Sequence, residues 1–371
     1  MSRSTSRLLL WPMVLAGCVT RLFRRCPADS PRRILIAHHL LLGDTLMLAA
    51  LFARLRENHP DAEILLTCPP AFLPLFAARP WGVSAFAYDP RDSRSLIAWW
   101  RRRGFDLAVL PADARLSWLA LALGARRIRA LSGDRPGWKY WPVTEQVPFP
   151  RQLTALPELF ALLAGGKPPA AYQPEQWPLA PTAPAALPAA SYAILHLGAS
   201  NPLRNWPAER WHALAEALEA RGMTPVWSAG ARETALVEAA DPHQRWPSLA
   251  GKVDLLQLAH ALRGARLLIC PDTGVMHLGR IVGTPTAGIF GQGAVELFGS
   301  SPFFTHTPFT ALSVDIACRN QRTLFKREAD WVRRCARRPG LPPSGCAQAL
   351  CIEAISIEAV IAACDALLAR Q

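Results

Sequence analysis

The sequence predicts an α/β fold of two doubly wound halves, each a parallel sheet with helices on both faces. Three observations lead there. Short apolar runs alternate with segments of helical period along both halves of the chain. A Pro- and Ala-rich stretch, residues 167–190, stands between the two series and suits neither a helix interior nor a central strand. Of the 371 residues, 51% are hydrophobic and 19% charged, which provides for sizeable cores and excludes disorder as the main state.

The elements follow in order. Residues 1–32 form a basic and apolar segment. Arg3 and Arg7 precede the apolar run Leu8–Val19, and Arg21, Arg24, Arg25, Arg32 and Arg33 follow it. The run is too short to span a bilayer and holds Pro12. Leu15-Ala16-Gly17-Cys18 looks like a lipoprotein cleavage box, but arginines placed just after it oppose export. The segment reads as an interfacial element on anionic lipid, with a docked terminal segment as the alternative.

Residues 33–166 form the first half. Arg33–Ala37 reads as a strand, and the loop from His38 to Thr45 leads to a helix over Leu46–Asn58. Glu63–Thr67, Ala85–Tyr88 and Phe105–Leu110 read as further strands, with a helix around Ser95–Arg103. Residues 167–190 read as a semi-extended linker. Residues 191–351 form the second half, with strands at Tyr192–Leu197, Thr224–Ser228, Arg266–Cys270 and Thr286–Phe290. Helices are expected at Pro207–Arg221, Glu233–Ala240 and Leu255–Arg263, and from Gly274 onward. Residues 352–371 hold a terminal amphipathic helix from Ser356 to Arg370. Two such halves imply a cleft, with ligands beyond the carboxyl ends of the strands.

Lys and Arg number 41 against 28 Asp and Glu, a net charge of +13. That charge concerns partners rather than fold: anionic lipid, phosphorylated small molecules or nucleic acid. No zinc-finger or RNP-type spacing accompanies it, so no nucleic-acid partner is expected. Nine cysteines cannot all pair. Cys68 and Cys270 sit in apolar runs and read as buried. Cys318, Cys335, Cys346 and Cys351 fall in an arginine-rich stretch and read as a structural cluster for one tetrahedral metal, without the CxxC spacing of a zinc knuckle. Separate thiols or a disulfide are the alternatives.

Four loops carry chemistry. Gly43-Asp44-Thr45 offers a carboxylate at a helix start, as a general base or a simple cap. Leu197 to Pro207 combines small residues with Ser200 and Arg204, suited to a phosphate or to solvent. Ser228 to Glu233 ends on an acid that suits a ribose diol or favours a helix dipole. Asp272-Thr273-Gly274 opens a helix as an anion site, and His277 follows one turn on; a plain cap with a core histidine is the alternative. Glycines at 283 and in Phe290-Gly291-Gln292-Gly293 allow close backbone approach.

The combination ILIAHHLLLGDTLML, LGASNPLRNWP, SAGARE and PDTGVMHLGRIVGTPTAGIFGQG resembles glycosyltransferase family 9, the heptosyltransferases. The resemblance runs from Arg33 to the C-terminus. It implies a GT-B fold of two Rossmann-like domains facing a cleft. It implies inverting transfer of heptose from ADP-heptose to the lipopolysaccharide inner core, an anionic acceptor at the inner membrane surface. By the same resemblance Asp44 is the catalytic base. Ser200 and Arg204 hold the diphosphate, Glu233 the ribose, and Asp272, Thr273, Gly274 and His277 line the donor site. Arg204 stands where the family often has Lys, and the two are not equivalent in geometry. The cysteine tail extends beyond the family's best-known members; related protein heptosyltransferases carry a cysteine metal finger of different spacing. Without a DxD pair, no catalytic cofactor is expected. A protein or other glycan acceptor, or a non-catalytic ADP-sugar-binding module, are the alternatives. The implied location is cytoplasmic, peripheral on the inner face of the inner membrane.

Overall fold

In the computed structural model, which describes residues 3–23, 30–340 and 345–370, the run Arg33–Ile36 is a strand, β1, whose Ile34, Leu35 and Ile36 are fully buried. Burial of successive residues means both faces of its sheet are covered. Arg24 and Arg25 lie outside the described residues.

The chain divides into two units. The first holds residues up to Leu41, Met47–Ala170 and a short return, Thr323–Ala329. Its further strands are β2 (Glu63–Cys68), β3 (Val83–Ala87), β4 (Leu107–Leu110), β5 (Arg127–Leu131) and β6 (Glu145–Val147). All pair in parallel, in the order β3-β2-β1-β4-β5-β6. The helices are α1 (Arg3–Phe23), α2 (Leu42–Met47, which counts with the second unit through Leu46), α3 (Ala49–Asn58), α4 (Ser93–Trp100), α5 (Ser117–Ala122) and α6 (Leu156–Ala161). The single helix expected over Leu46–Asn58 is two, broken at Leu48, and the first begins before Asp44. In the return segment Arg327 is buried and donates to the carbonyls of Ala112, Leu131 and Ser132.

The second unit holds Leu42–Leu46, Ala171–Arg322 and Asp330 onward. Its strands are β7 (Tyr192–His196), β8 (Thr224–Ser228), β9 (Leu267–Pro271), β10 (Thr286–Phe290) and β11 (Phe309–Ser313), parallel in the order β11-β10-β9-β7-β8. The helices are α7 (Ala208–Glu219), α8 (Thr234–Ala240), α9 (Leu255–Gly264), α10 (Gly274–Ile281), α11 (Val295–Phe298), α12 (Leu350–Glu353) and α13 (Ile357–Leu368). A capping box starts α9: Gln257 N–H donates to Asp254 Oδ1, and Asp254 N–H to Gln257 Oε1. Gly222, at φ 76°, turns the chain after α7 in a conformation that favours glycine. The terminal helix belongs to this core: Val360, Cys364 and Leu367 pack among Leu195, Trp211 and Leu214.

Within residues 167–190, those from Ala171 are docked on the second unit rather than free. Tyr172 and Trp177 are fully buried. The Tyr172 hydroxyl donates to Ile281 O at 2.6 Å, and Arg263 donates to Trp177 O at 3.2 Å. Proline excludes regular pairing there but leaves carbonyls to accept and rings to bury.

Candidate functional site

In the second unit the strand order places β7 beside β9, while the chain proceeds from β7 to β8 on one side and from β9 to β10 on the other. The loops that leave β7 and β9 therefore diverge, and a crevice forms beyond their carboxyl ends. Arg204 comes from the first loop and Asp272 from the second. Arg204 Nη1 donates to Asp272 O at 2.7 Å and lies 3.6 Å from Asp272 Oδ2. Asn201 orders the loop: its Oδ1 accepts from Leu203 N–H at 3.2 Å, and its amide donates to Gln292 Oε1 at 2.7 Å.

Asp44 sits in the first turn of α2, in this same unit. Burial and the nearby Asp272 carboxylate push its carboxyl up to about 6, with Arg334 and Arg204 opposing. Asp272 is 5% exposed, and burial raises its carboxyl above the ordinary range while Arg204 draws it down. Two carboxylates and two guanidiniums are thus gathered at one place. Arg334 had no part in the sequence reading. It follows Arg204 by 130 positions (334 − 204) and is tied to the fold by paired backbone hydrogen bonds with Gln321. Burial lowers its guanidinium from the usual value, and Asp44 raises it. Only the tertiary path of the tail reveals it; an arginine-rich stretch marked the region but no single residue.

Thr273 is the N-cap of α10 and makes no capping bond with its side chain. Among the described residues, buried side-chain atoms without a hydrogen-bond partner include Thr273 Oγ1, His277 Nδ1, Arg204 Nε and Arg334 Nε. Buried polar atoms are ordinarily satisfied, so this group makes the start of α10 a candidate place for a polar ligand. His277 is 5% exposed, and burial, aided by Arg280, lowers its imidazole to about 3. It stays neutral at physiological pH and can donate or accept. Gly43 leaves room for its ring: a Cβ there would lie 2.6 Å from His277 Cδ2. A Cβ on Gly293 would collide with the Asp272 carboxylate.

Glu233 lies on the loop after β8 and precedes α8. Its Oε2 accepts from Gly230 N–H at 3.3 Å, and a Cβ on Gly198 would collide with its carboxylate. The β7 and β8 loops therefore meet at Glu233. Ser200 is exposed on the β7 loop. So Asp44, Arg204 and Asp272 are brought together, with Thr273, Gly274 and His277 on the adjoining helix start, while Glu233 and Ser200 stand on the flanking loops.

The tail cysteines are free thiols. Burial raises the Cys351 thiol, and the other three lie near enough to push it further up, with Arg319 opposing. Their engagements are separate. Cys335 accepts from Arg337 N–H at 3.4 Å, Cys346 donates to Gln348 O at 3.0 Å, and Cys351 Sγ would lie 3.4 Å from a Cβ on Gly291. Among the described residues no group of three or more His, Cys, Asp or Glu could hold a metal ion. The four thiols expected as one cluster nonetheless lie within electrostatic reach of one another around Cys351.

Comparison with known proteins adds the following. The sequence profile of glycosyltransferase family 9 (heptosyltransferase) matches residues 94–323. Lipopolysaccharide heptosyltransferase 1 of Pseudomonas aeruginosa is 33% identical over 107 residues, which span 28% of this chain and 30% of that relative. The glycosyl transferase family 9 structure from Veillonella parvula superposes with a TM-score of 0.69 at 16% identity, covering 94% of this chain and 100% of that one. The E. coli ADP-heptose lipopolysaccharide heptosyltransferase II gives 0.67 at 16% identity, covering 91% and 99%. The fold shared with these structures is the α/β GT-B fold of two doubly wound parallel sheets.

Proposed function

We propose, given that the chain belongs to glycosyltransferase family 9, the heptosyltransferases, that it moves a heptose from ADP-heptose to the lipopolysaccharide inner core with inversion and without a metal. The observation that carries this reading is the gathering of Asp44, Asp272, Arg204 and Arg334 beside the unpartnered atoms of Thr273 and His277. Asp44 accepts the proton of the acceptor hydroxyl. The freed oxygen forms its bond to the anomeric carbon on the face opposite the diphosphate. The bond from that carbon to the β-phosphate oxygen breaks, and ADP leaves. Arg204, Arg334 and the backbone N–H groups at the start of α10 meet the charge that grows on the diphosphate. Two guanidiniums supply what a divalent ion would. Ser200 contacts the diphosphate, Glu233 takes the ribose diol, and neutral His277 lines the sugar site with Gly274. The enzyme works on the cytoplasmic side, at the inner membrane surface; its +13 charge suits an anionic acceptor there.

The test is thermal stabilisation of the protein by ADP, UDP, GDP and CDP, with and without EDTA. ADP at 100 times its dissociation constant is expected to add about 2.7 kcal/mol, with EDTA making no difference. Preference for another nucleotide would overturn the donor, and loss of the ADP effect in EDTA would overturn the metal-free mechanism.

The raised Asp44 carboxyl sets a pH dependence. A protonated carboxyl cannot accept the acceptor's proton, so kcat/KM is expected to fall as pH drops through about 6. Arg334 favours the ionised form of Asp44, so Arg334→Ala moves that limb to higher pH. Overlaid kcat/KM profiles of the two proteins check this; coincident limbs would separate Arg334 from the base.

A further inference from the structure

Helix α1 has an inner and an outer face. Val14 is buried in the first unit's core beside Leu119 and Leu121, with Leu10 and Met13 packed against it. On the outside, Trp11, Leu15 and Val19 are 64%, 68% and 53% exposed. They are spaced four residues apart and form one stripe about 12 Å long. The stripe runs on into a tryptophan surface of the same unit. The Trp11 ring lies 6.2 Å from Trp118, and Trp118 lies 6.3 Å from Trp141. Trp141 is 76% exposed, and neighbouring Trp138 is 51% exposed. A contiguous aromatic and aliphatic patch on a water-facing surface marks a site of interaction.

The charges around it choose the occupant. In sequence, residues 1–28 hold five Arg and no Asp or Glu; of these, Arg21 turns its guanidinium to the Arg126 and Pro142 carbonyls. Beside α1 at Ala16 a hollow of about 530 Å³ is lined by Arg101 and Arg103, both exposed. A second copy of the chain would bring like charges together across this face. A bilayer with anionic headgroups offers the complement: phosphates for the arginines, and the headgroup–acyl boundary for indole rings and aliphatic side chains. No described helix is long and apolar enough to cross a membrane, so contact is with the surface.

We propose that Trp11, Leu15 and Val19 of α1, with Trp118, Trp138 and Trp141, form a docking face for anionic lipid bilayers. This refines the membrane-surface part of the function proposed above and requires neither its donor nor its acceptor. The test is co-sedimentation of the full chain with vesicles of equal parts phosphatidylcholine and phosphatidylglycerol, against phosphatidylcholine alone. The wild type is expected to bind the anionic vesicles and to be released by salt. The triple variant Trp11→Ser, Leu15→Ser, Val19→Ser binds at least about tenfold less, with its ADP-induced stabilisation unchanged. Trp141→Ser, outside α1, weakens binding in the same direction and guards against a misfolded helix. Arg101→Gln with Arg103→Gln reduces the preference for anionic over neutral vesicles. Equal vesicle binding by wild type and both apolar variants would overturn the proposal. So would a concentration-dependent dimer that the triple variant dissolves, which would assign the face to a second copy. Loss of ADP stabilisation in the wild type would count against the donor reading alone.

Discussion

Asp44→Asn is expected to lower transfer by about 10²–10⁴-fold, the usual contribution of a positioned general base, while ADP binds as before. Asparagine keeps the shape of the side chain but cannot accept the proton of the acceptor hydroxyl. The fold should not suffer; it should gain. Burial and Asp272 raise the Asp44 carboxyl to about 6 in the folded state, above its value in the unfolded chain. A raised acid contributes stability that is fully present below the unfolded pKa and is lost as pH rises through the folded pKa. Above pH 6 the folded protein therefore carries a charge that the site disfavours, and Asn removes it. The variant should be more stable than wild type at pH 8 by about 1–3 kcal/mol, with the difference closing towards pH 4. Steady-state kinetics, ADP titration calorimetry and melting at the two pH values check the three parts. Turnover equal to wild type would remove Asp44 from the role of base, whatever the melting curves show.

Arg204→Ala is expected to act on binding and rate together. A hydrogen bond to a charged group contributes about 1.5–3 kcal/mol, so ADP affinity should fall by roughly 10–150-fold. A donor aimed at charge that grows in the transition state adds a further loss in kcat of about 10²-fold. The same change removes one of the two cations that hold the Asp44 carboxyl down, so residual activity should also shift to higher pH. Arg204→Lys tests the geometry. It restores the charge but not the planar fork that bonds the Asp272 carbonyl at 2.7 Å, and it should recover only part of the affinity. Calorimetry with ADP decides the matter: unchanged affinity in the alanine variant would place the diphosphate elsewhere.

Local pattern determined much of this protein. The strands at Thr224–Ser228 and Thr286–Phe290 were legible to the residue, because a strand buried on both faces is a continuous apolar run bounded by turn-formers. The ligand-side loops were legible too: Arg204, Glu233 and Asp272 were readable on the loops that leave β7, β8 and β9, where doubly wound sheets bind ligands. Other features were not. The strands Arg127–Leu131 and Glu145–Val147 went unread because alternating arginines and a three-residue edge give no apolar run. Trp177 and Tyr172 sit in a Pro-rich stretch whose local signal is that of a linker; their burial depends on surfaces supplied by residues about 90–110 positions later. The four tail cysteines are close in sequence and gather around Cys351 in the fold, but coordination depends on where sulfur atoms point, which spacing without a knuckle does not determine. Arg334 is the clearest case. Nothing near it in sequence sets it apart from its neighbouring arginines. Its relation to Asp44, 290 positions earlier (334 − 44), is a Coulomb interaction in a shared desolvated site, and only the folded chain brings the two charges within each other's reach.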